Sequence, residues 1–359
     1  MIIERTCYLP NPGRFDEVLA TRREASRVRL AIGLRAGTIS TGRTERGRMV
    51  FWEGRFATPA EHEADLAARA ASADFEACRA RMRGLNQDFD RQVVREDRDL
   101  ETCVLRDVAL DDVPIAPQEL TFESAGRTLQ GYFYRPPGEG PFPCMITNHG
   151  STIEQGTTDV CRPGVAALLM SWGVASFLPH RRGYGNSPGM PWREQVAAEY
   201  GTDEYDERLA ARLDDESDDV VAALAAVMRR PEVDAAHVGV MGSSFGGTVT
   251  LLAAAKSARF RCAVEFAGAA MNWERAPRLR ALMLDAASRL TQPIFFIQAA
   301  NDYSVRPTIE LAQSLGAGKV VQSRIYPDFG LTKDEGHLLY IQGPAYWGDD
   351  VRRFLEHWL

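Results

Sequence analysis

The chain has few of the features that would place it in a membrane, on nucleic acid or around a metal. No window approaches the ~18 consecutive apolar residues of a spanning helix, so no membrane crossing is expected. The opening MIIERTCYLPNPGRF has no basic stretch followed by an apolar run, so no signal peptide is expected. Cysteine is scarce, with six residues (Cys7, Cys78, Cys103, Cys144, Cys161, Cys262), no C-x-x-C pair and no clustering with histidine. That scatter points to reduced thiols in the cytoplasm rather than a disulfide framework or a metal site. An excess of positive charge is missing too. With 42 Lys+Arg against 49 Asp+Glu the formal net charge is −7, whereas phosphate binding needs a clustered basic face, so nucleic acid is not an expected partner. The Arg-rich stretch from Arg22 to Arg35 is interrupted by Glu24 and apolar residues and is expected to form a solvated helix face.

What remains is the composition of a globular protein, 45% hydrophobic and 25% charged, in 359 residues, a length that favours two domains. The first hundred residues read as strand, helix, two strands, helical text and a last strand. Thr58 is a good N-cap, with Pro59 at the first helical position and Glu61 three residues on. That order is the ferredoxin-like split βαβ plan. The segment FWEGRFATPAEHEADLAARAASADFEACRARM resembles the dimeric α+β-barrel domains of monooxygenase-like and NIPSNAP-like proteins. The resemblance covers residues 1–98 and implies a homodimer formed through this domain. His62, its one histidine, falls in the first turn of a helix and is expected to face solvent. Residues 99–116, acidic and ending among prolines, are expected to connect the domains.

From Pro117 onward strands alternate with helices, which predicts a mostly parallel sheet covered on both faces, an α/β domain over residues 117–359. Within it Gly242-Ser243-Ser244-Phe245-Gly246 fits G-x-S-x-G. The apolar strand text HVGVM runs into it and an Ala-rich helix runs out, the setting of a nucleophile elbow. Serine is a poor nucleophile without a neighbouring base. The partners are expected downstream, acid first and histidine second. Only His337 and His357 follow, and His357 sits in the amphipathic last helix, so His337 is the expected base. Asp302, just after the strand PIFFIQAA, is the expected acid; Asp328 and Asp334 lie on the histidine's own loop. The oxyanion hole is expected from the backbone N–H groups of Phe245 and of Ser151, the latter after CMITNHG, with His149 supporting that loop.

HGS, HRRGYGNSPG, GSSFGG, ANDYSV and EGH together resemble the dienelactone hydrolase and prolyl-oligopeptidase-like branch of the α/β hydrolases. That resemblance implies a hydrolase domain without cofactor or metal, and makes Arg182 and Tyr184 parts of a structural turn. Dienelactone hydrolases use a cysteine nucleophile; Ser244 departs from them and favours an ordinary carboxylic ester, thioester or lactone as a small-molecule substrate. Residues 190–212 are longer than a connection needs and read as a small cap insertion carrying Trp192, Tyr200 and Tyr205. Together with Met271, Trp273 and Tyr303 at the catalytic edge, Trp192 and Tyr200 are the expected substrate-binding residues. Amide, peptide or C–C bond cleavage, acyl transfer, and a non-catalytic ligand-binding dimer stay open as alternatives.

Overall fold

The computed structural model describes residues 2–44, 46–56, 58–95, 105–111, 113–157, 161–315 and 319–359, and the chain divides into two compact units, Met1–Glu101 and Thr102–Leu359. Cys103, the start of the expected connection through residue 104, and residue 112 fall outside the described residues. From Leu105 that connection is part of the second unit. Leu105 is buried, and the Arg106 and Val108 amides donate to the Trp172 and Ser171 carbonyls at 3.1 and 2.9 Å.

The first unit runs β1 (Ile2–Pro10), α1 (Phe15–Ala31), β2 (Thr38–Thr44), β3 (Gly47–Phe56), α2 (Pro59–Ala71), α3 (Ala73–Leu85) and β4 (Asn86–Arg95). Its sheet has the order β2-β3-β1-β4 with every pairing antiparallel, the ferredoxin-like arrangement. The Thr58 hydroxyl accepts the Glu61 amide at 3.1 Å and Pro59 opens α2, so local capping chemistry fixes this helix start. Tyr8 and Trp52 on the sheet share a core with Val18 of α1 and Met82 of α3.

Two expectations fail here. The Arg22–Arg35 stretch is not a solvated face, because Val18, Thr21, Arg22, Ala25, Ser26 and Arg29 form the buried side of α1. Their spacing of three and four residues is a helix stripe written with arginine in place of leucine. The arginine stems cover the sheet, while buried acceptors and a ring take the heads. Arg29 forks onto Asp65 of α2 at 3.1 and 2.5 Å, and its guanidinium lies 4.7 Å from the Trp52 ring centre. His62 is likewise buried, with Nε2 2.9 Å from Glu4 Oε2.

The second unit runs β5 (Gln118–Ser124), β6 (Arg127–Tyr134), β7 (Phe142–Asn148), α4 (Pro163–Ser171), β8 (Ala175–Pro179), α5 (Trp192–Gln195), α6 (Asp203–Val227) and β9 (Val233–Ser243). It continues with α7 (Phe245–Lys256), β10 (Ala263–Phe266), α8 (Pro277–Arg289), β11 (Ile294–Ala299) and α9 (Arg306–Ser314). Last come β12 (Val321–Tyr326), α10 (Lys333–His337), α11 (Leu339–Gln342) and α12 (Pro344–Trp358). The sheet order is β12-β11-β10-β9-β7-β8-β6-β5, parallel except where β6 meets β8 and β5. The central strands are apolar along their length because helices bury both sides. One core joins the sheet to α6, α7 and α8, the other to α4 and α12. Between β7 and β9 the chain switches from building one side of the sheet to the other, and ligands of open α/β sheets bind outside such a switch.

Residues 190–212 do not form a separate cap. α5 is a single turn, and Asp203 onward is the start of the 25-residue α6, with Leu209, Arg212 and Leu213 buried. Leu209 and Leu213 continue the apolar stripe of Val220 and Leu224, so helix periodicity carries the element back across the expected boundary. Among the described residues no helix is long and apolar enough to cross a membrane.

Candidate active site

Ser244 stands between β9 and α7 with φ 60° and ψ −125°, a region that side-chain-bearing residues seldom occupy. Such strain costs on the order of 1–3 kcal/mol and persists only where the surroundings dictate it. They do so through the neighbouring glycines, none of which needs positive φ. A Cβ on Gly242 would lie 2.6 Å from the Gly246 carbonyl oxygen, and one on Gly246 2.2 Å from the Asn148 carbonyl oxygen. A Cβ on Gly247 would meet a Glu265 carboxyl oxygen at 2.6 Å. The glycines therefore let three strand ends close on the elbow, and the serine takes the strain.

Gly150, in the loop after β7, completes the approach. A Cβ there would sit 3.4 Å from Ser244 Cβ and 3.9 Å from its Oγ. Ser151 follows, and its carbonyl accepts Trp192 Nε1 at 3.1 Å. The Trp192 ring meets Phe245 edge-on at 5.1 Å. Trp192 thus braces the two residues expected to supply oxyanion N–H groups, and it packs on the core rather than forming a lid. The Phe245 N–H is among the first amides of α7, which have no acceptor within their own helix.

Asp302 follows β11, and His337 ends α10 in the segment after β12. His337 Nδ1 lies 2.9 Å from Asp302 Oδ1, and the Asp302 side chain is fully buried. The carboxylate is held from two further sides, by the Tyr303 amide at 2.6 Å and by Gln298 Nε2 at 2.9 Å. With Nδ1 facing a carboxylate, the ring turns Nε2 inward, where it is buried without a hydrogen-bond partner. The histidine loop is tied down by Asn301, which donates to the Phe329 and Thr332 carbonyls at 2.9 and 3.0 Å. Thr332 and Glu335 then close a capping box on α10, the short helix that ends at His337.

Burial keeps nearby groups neutral. His149 is held well below its ordinary pKa by burial and by the Arg181 charge, and it lies 2.7 Å from the Gly150 carbonyl oxygen. Glu265, on β10 beneath the elbow, is pushed up from 4.5 to about 8 by burial; the Asp302 charge adds to this and the Gly268 amide opposes it. Behind the Ser151 loop, buried Arg181 and Arg212 share Glu216 at 2.7 and 2.5 Å, and Arg181 Nη2 holds the His149 carbonyl at 2.8 Å. Arg182 forks onto Asp219, and Tyr184 is buried between Arg181 and Arg212.

The substrate-binding expectations divide. Trp273 is 1% exposed in the core with Leu279 and Met283, so it is unavailable to a ligand. In the loop before it, Ala267 and Ala269 take positive φ, and the Trp273 amide donates to the Ala269 carbonyl at 2.8 Å. Met271 and Tyr200 are exposed, and the Tyr200 hydroxyl donates to the Met271 carbonyl at 2.6 Å. Tyr303 stands edge-on to His337 at 5.6 Å with its hydroxyl on Asp334. Gln298, Asn301 and Glu265 are functional neighbours that the sequence does not announce. Each is a polar residue in or just after an apolar strand, a sign of a buried partner but not of which one.

A model of the prolyl oligopeptidase family matches residues 162–279, a span that includes Ser244 and stops before Asp302. Among curated proteins, the chain is 29% identical over 196 residues to the polyketide transferase grgF of a Penicillium species, 53% of this chain and 60% of that one. It is 26% identical over 156 residues to the quorum-quenching protein AidA of Acinetobacter baumannii, 44% of this chain and 45% of that one. The chain spans about half the length of these curated relatives. An esterase structure from Pyrococcus furiosus matches 71% of this chain and 95% of its own with a TM-score of 0.50 at 17% identity, a likeness of fold.

Proposed function

From an α/β-hydrolase domain with this elbow, we propose a serine hydrolase that cleaves a carboxylic ester through an acyl-enzyme on Ser244. The observation that carries the reading is the Asp302–His337 pair with Nε2 left unpartnered; it follows β11 and β12, on the same parallel sheet whose strand β9 ends at the strained serine. In this reading His337 Nε2 takes the Ser244 proton as Oγ attacks the ester carbonyl. Asp302 holds the ring's other nitrogen and stabilises the imidazolium. The Phe245 and Ser151 amides receive the negative charge on the carbonyl oxygen. Collapse breaks the ester C–O bond, and His337 returns its proton to the leaving alcohol. Water, deprotonated by the same nitrogen, then releases the acid and restores Ser244.

An ester is favoured over an amide because an alcohol leaves with less help from the acid than an amine does. The dienelactone-like motifs with serine in place of cysteine support the same choice. A relative named as a polyketide transferase supports a second reading, in which an acceptor other than water takes the acyl group. The thiols of Cys7, Cys78 and Cys144 support a reducing, cytoplasmic setting. The first unit's sheet face that carries Ile3, Cys7 and Phe51, opposite its helices, supports a homodimer through this unit. The test is turnover of p-nitrophenyl acetate against p-nitroacetanilide, with Ser244→Ala alongside. Ester cleavage that disappears in the variant is expected; faster anilide cleavage, or ester cleavage that survives the substitution, would contradict it.

A further inference from the structure

The first unit holds a cavity of about 760 Å³ between its sheet and its helices, lined by Trp52, Leu66, Phe75 and Met82 and by charged residues that include Arg22 and Arg69. Arg22 is 5% exposed, yet among the described residues it meets no carboxylate. Its Nη1 reaches the Tyr8 hydroxyl at 3.3 Å and its guanidinium lies 5.1 Å from the Trp52 ring centre, while Nε and Nη2 have no partner.

The neighbouring acids are already taken. Glu4 accepts from Arg69 at 2.7 Å and Arg91 at 2.8 Å and lies 2.9 Å from His62 Nε2. Asp65 accepts from Arg29 at 2.5 Å and is ion-paired with Arg69, whose Nε lies 2.8 Å away. Burial alone would raise the Glu4 pKa; Arg69, His62 and Arg91 instead hold it at about 2, so it stays an anion committed to its own cations. Around Trp52, then, Arg22, Arg29 and Arg69 face two carboxylates, and the cation left over is Arg22. An uncompensated buried guanidinium is costly unless something pairs with it.

We infer that this cavity is a binding site for an organic carboxylate, separate from the chemistry of the second unit. The acid group pairs with the charge of the Arg22 guanidinium and the apolar body lies against Trp52, Phe75 and Met82. The volume and the apolar walls select a carboxylate with a hydrocarbon or aromatic body over a small inorganic anion.

The test is calorimetric titration of the full chain with 2-naphthoate, with neutral 2-naphthamide and inorganic phosphate as comparisons. Naphthoate is expected to bind, with the amide and phosphate weaker by tenfold or more. Arg22→Met is expected to weaken naphthoate by about ten- to a hundredfold, the size of a lost charge-assisted pair. Leu66→Trp, which fills the cavity and keeps Arg22, is expected to do the same, whereas Ser244→Ala binds as the parent does. The inference is overturned if naphthoate does not bind, if Arg22→Met binds it unchanged, if amide or phosphate binds as tightly, or if Ser244→Ala abolishes binding.

Discussion

The two units treat buried arginine in opposite ways. In the second, the arginines behind the Ser151 loop meet carboxylates: buried Arg181 and Arg212 share Glu216, and half-buried Arg182 has Asp219. Other donors of these arginines hold backbone carbonyls, His149 and Met190 among them, while Arg181 Nη1 is buried without a partner. In the first, Arg29 and Arg69 are matched, but Arg22 is left with a phenol, a ring and a cavity. A charge-matched network fixes a loop, whereas a cation without a carboxylate invites a ligand. The same distinction runs inside the second unit, where Asp302 is held from three sides and His337 Nε2 is left open.

That contrast predicts effects of different size and sign. The largest is at Asp302. Asp302→Asn keeps the shape but disturbs the tautomer that presents Nε2, so kcat for the ester is expected to fall about 10⁴-fold. Naphthoate binding at Arg22 stays at the parental value, and steady-state kinetics with calorimetry reads both. Next is Glu216→Ala, which strands Arg181 and Arg212 in the interior. Removing one partner of a buried pair costs about 3–5 kcal/mol, visible as a lowered urea midpoint of the second unit.

Glu265 gives an effect of a few kcal/mol that depends on pH. Its folded pKa, about 8, lies above the 4.5 of a free glutamate, so the folded state keeps a proton that the unfolded state loses. Stability is therefore unaffected below about pH 4.5 and is lost as pH rises from there to about 8. Glu265→Gln, uncharged throughout, is expected to match the parent at pH 4.5 and to exceed it progressively up to pH 8 in denaturant titrations. The smallest effect has the opposite sign to the Glu216 one. Arg22→Met is expected to stabilise the first unit by about 1 kcal/mol, read by native-state hydrogen exchange, because an unpaired buried charge is replaced by a packed apolar chain. A loss of stability there would erase the contrast between the units.

Some of these features are legible in the sequence and some are not. Strand alternation, the G-x-S-x-G turn and the order of acid and histidine are local or sequential signals, so the amino-acid order alone offers Ser244, Asp302 and His337 as candidates, and the structure pairs the last two. The start of α6 is hidden because Tyr200 to Glu207 is polar enough to pass for a loop, although Leu209 and Leu213 extend its apolar stripe. Arg22 and Arg29 are hidden for a related reason. Their spacing marks a buried face, but their chemistry marks a surface, and only the partners Asp65, Tyr8 and Trp52, far away in sequence, decide between the two. Gln298 and Glu265 depend on strand register, which aligns β10 with β11 and which no single segment encodes.

The decisive experiment on the nucleophile treats the purified chain with a fluorophosphonate and locates the adduct by peptide mass spectrometry. One adduct per chain is expected, on Ser244, absent from Ser244→Ala and formed at the parental rate in Arg22→Met. A folded protein that takes no label, or takes it on another residue, would rule out Ser244 as an activated nucleophile and the hydrolase mechanism with it.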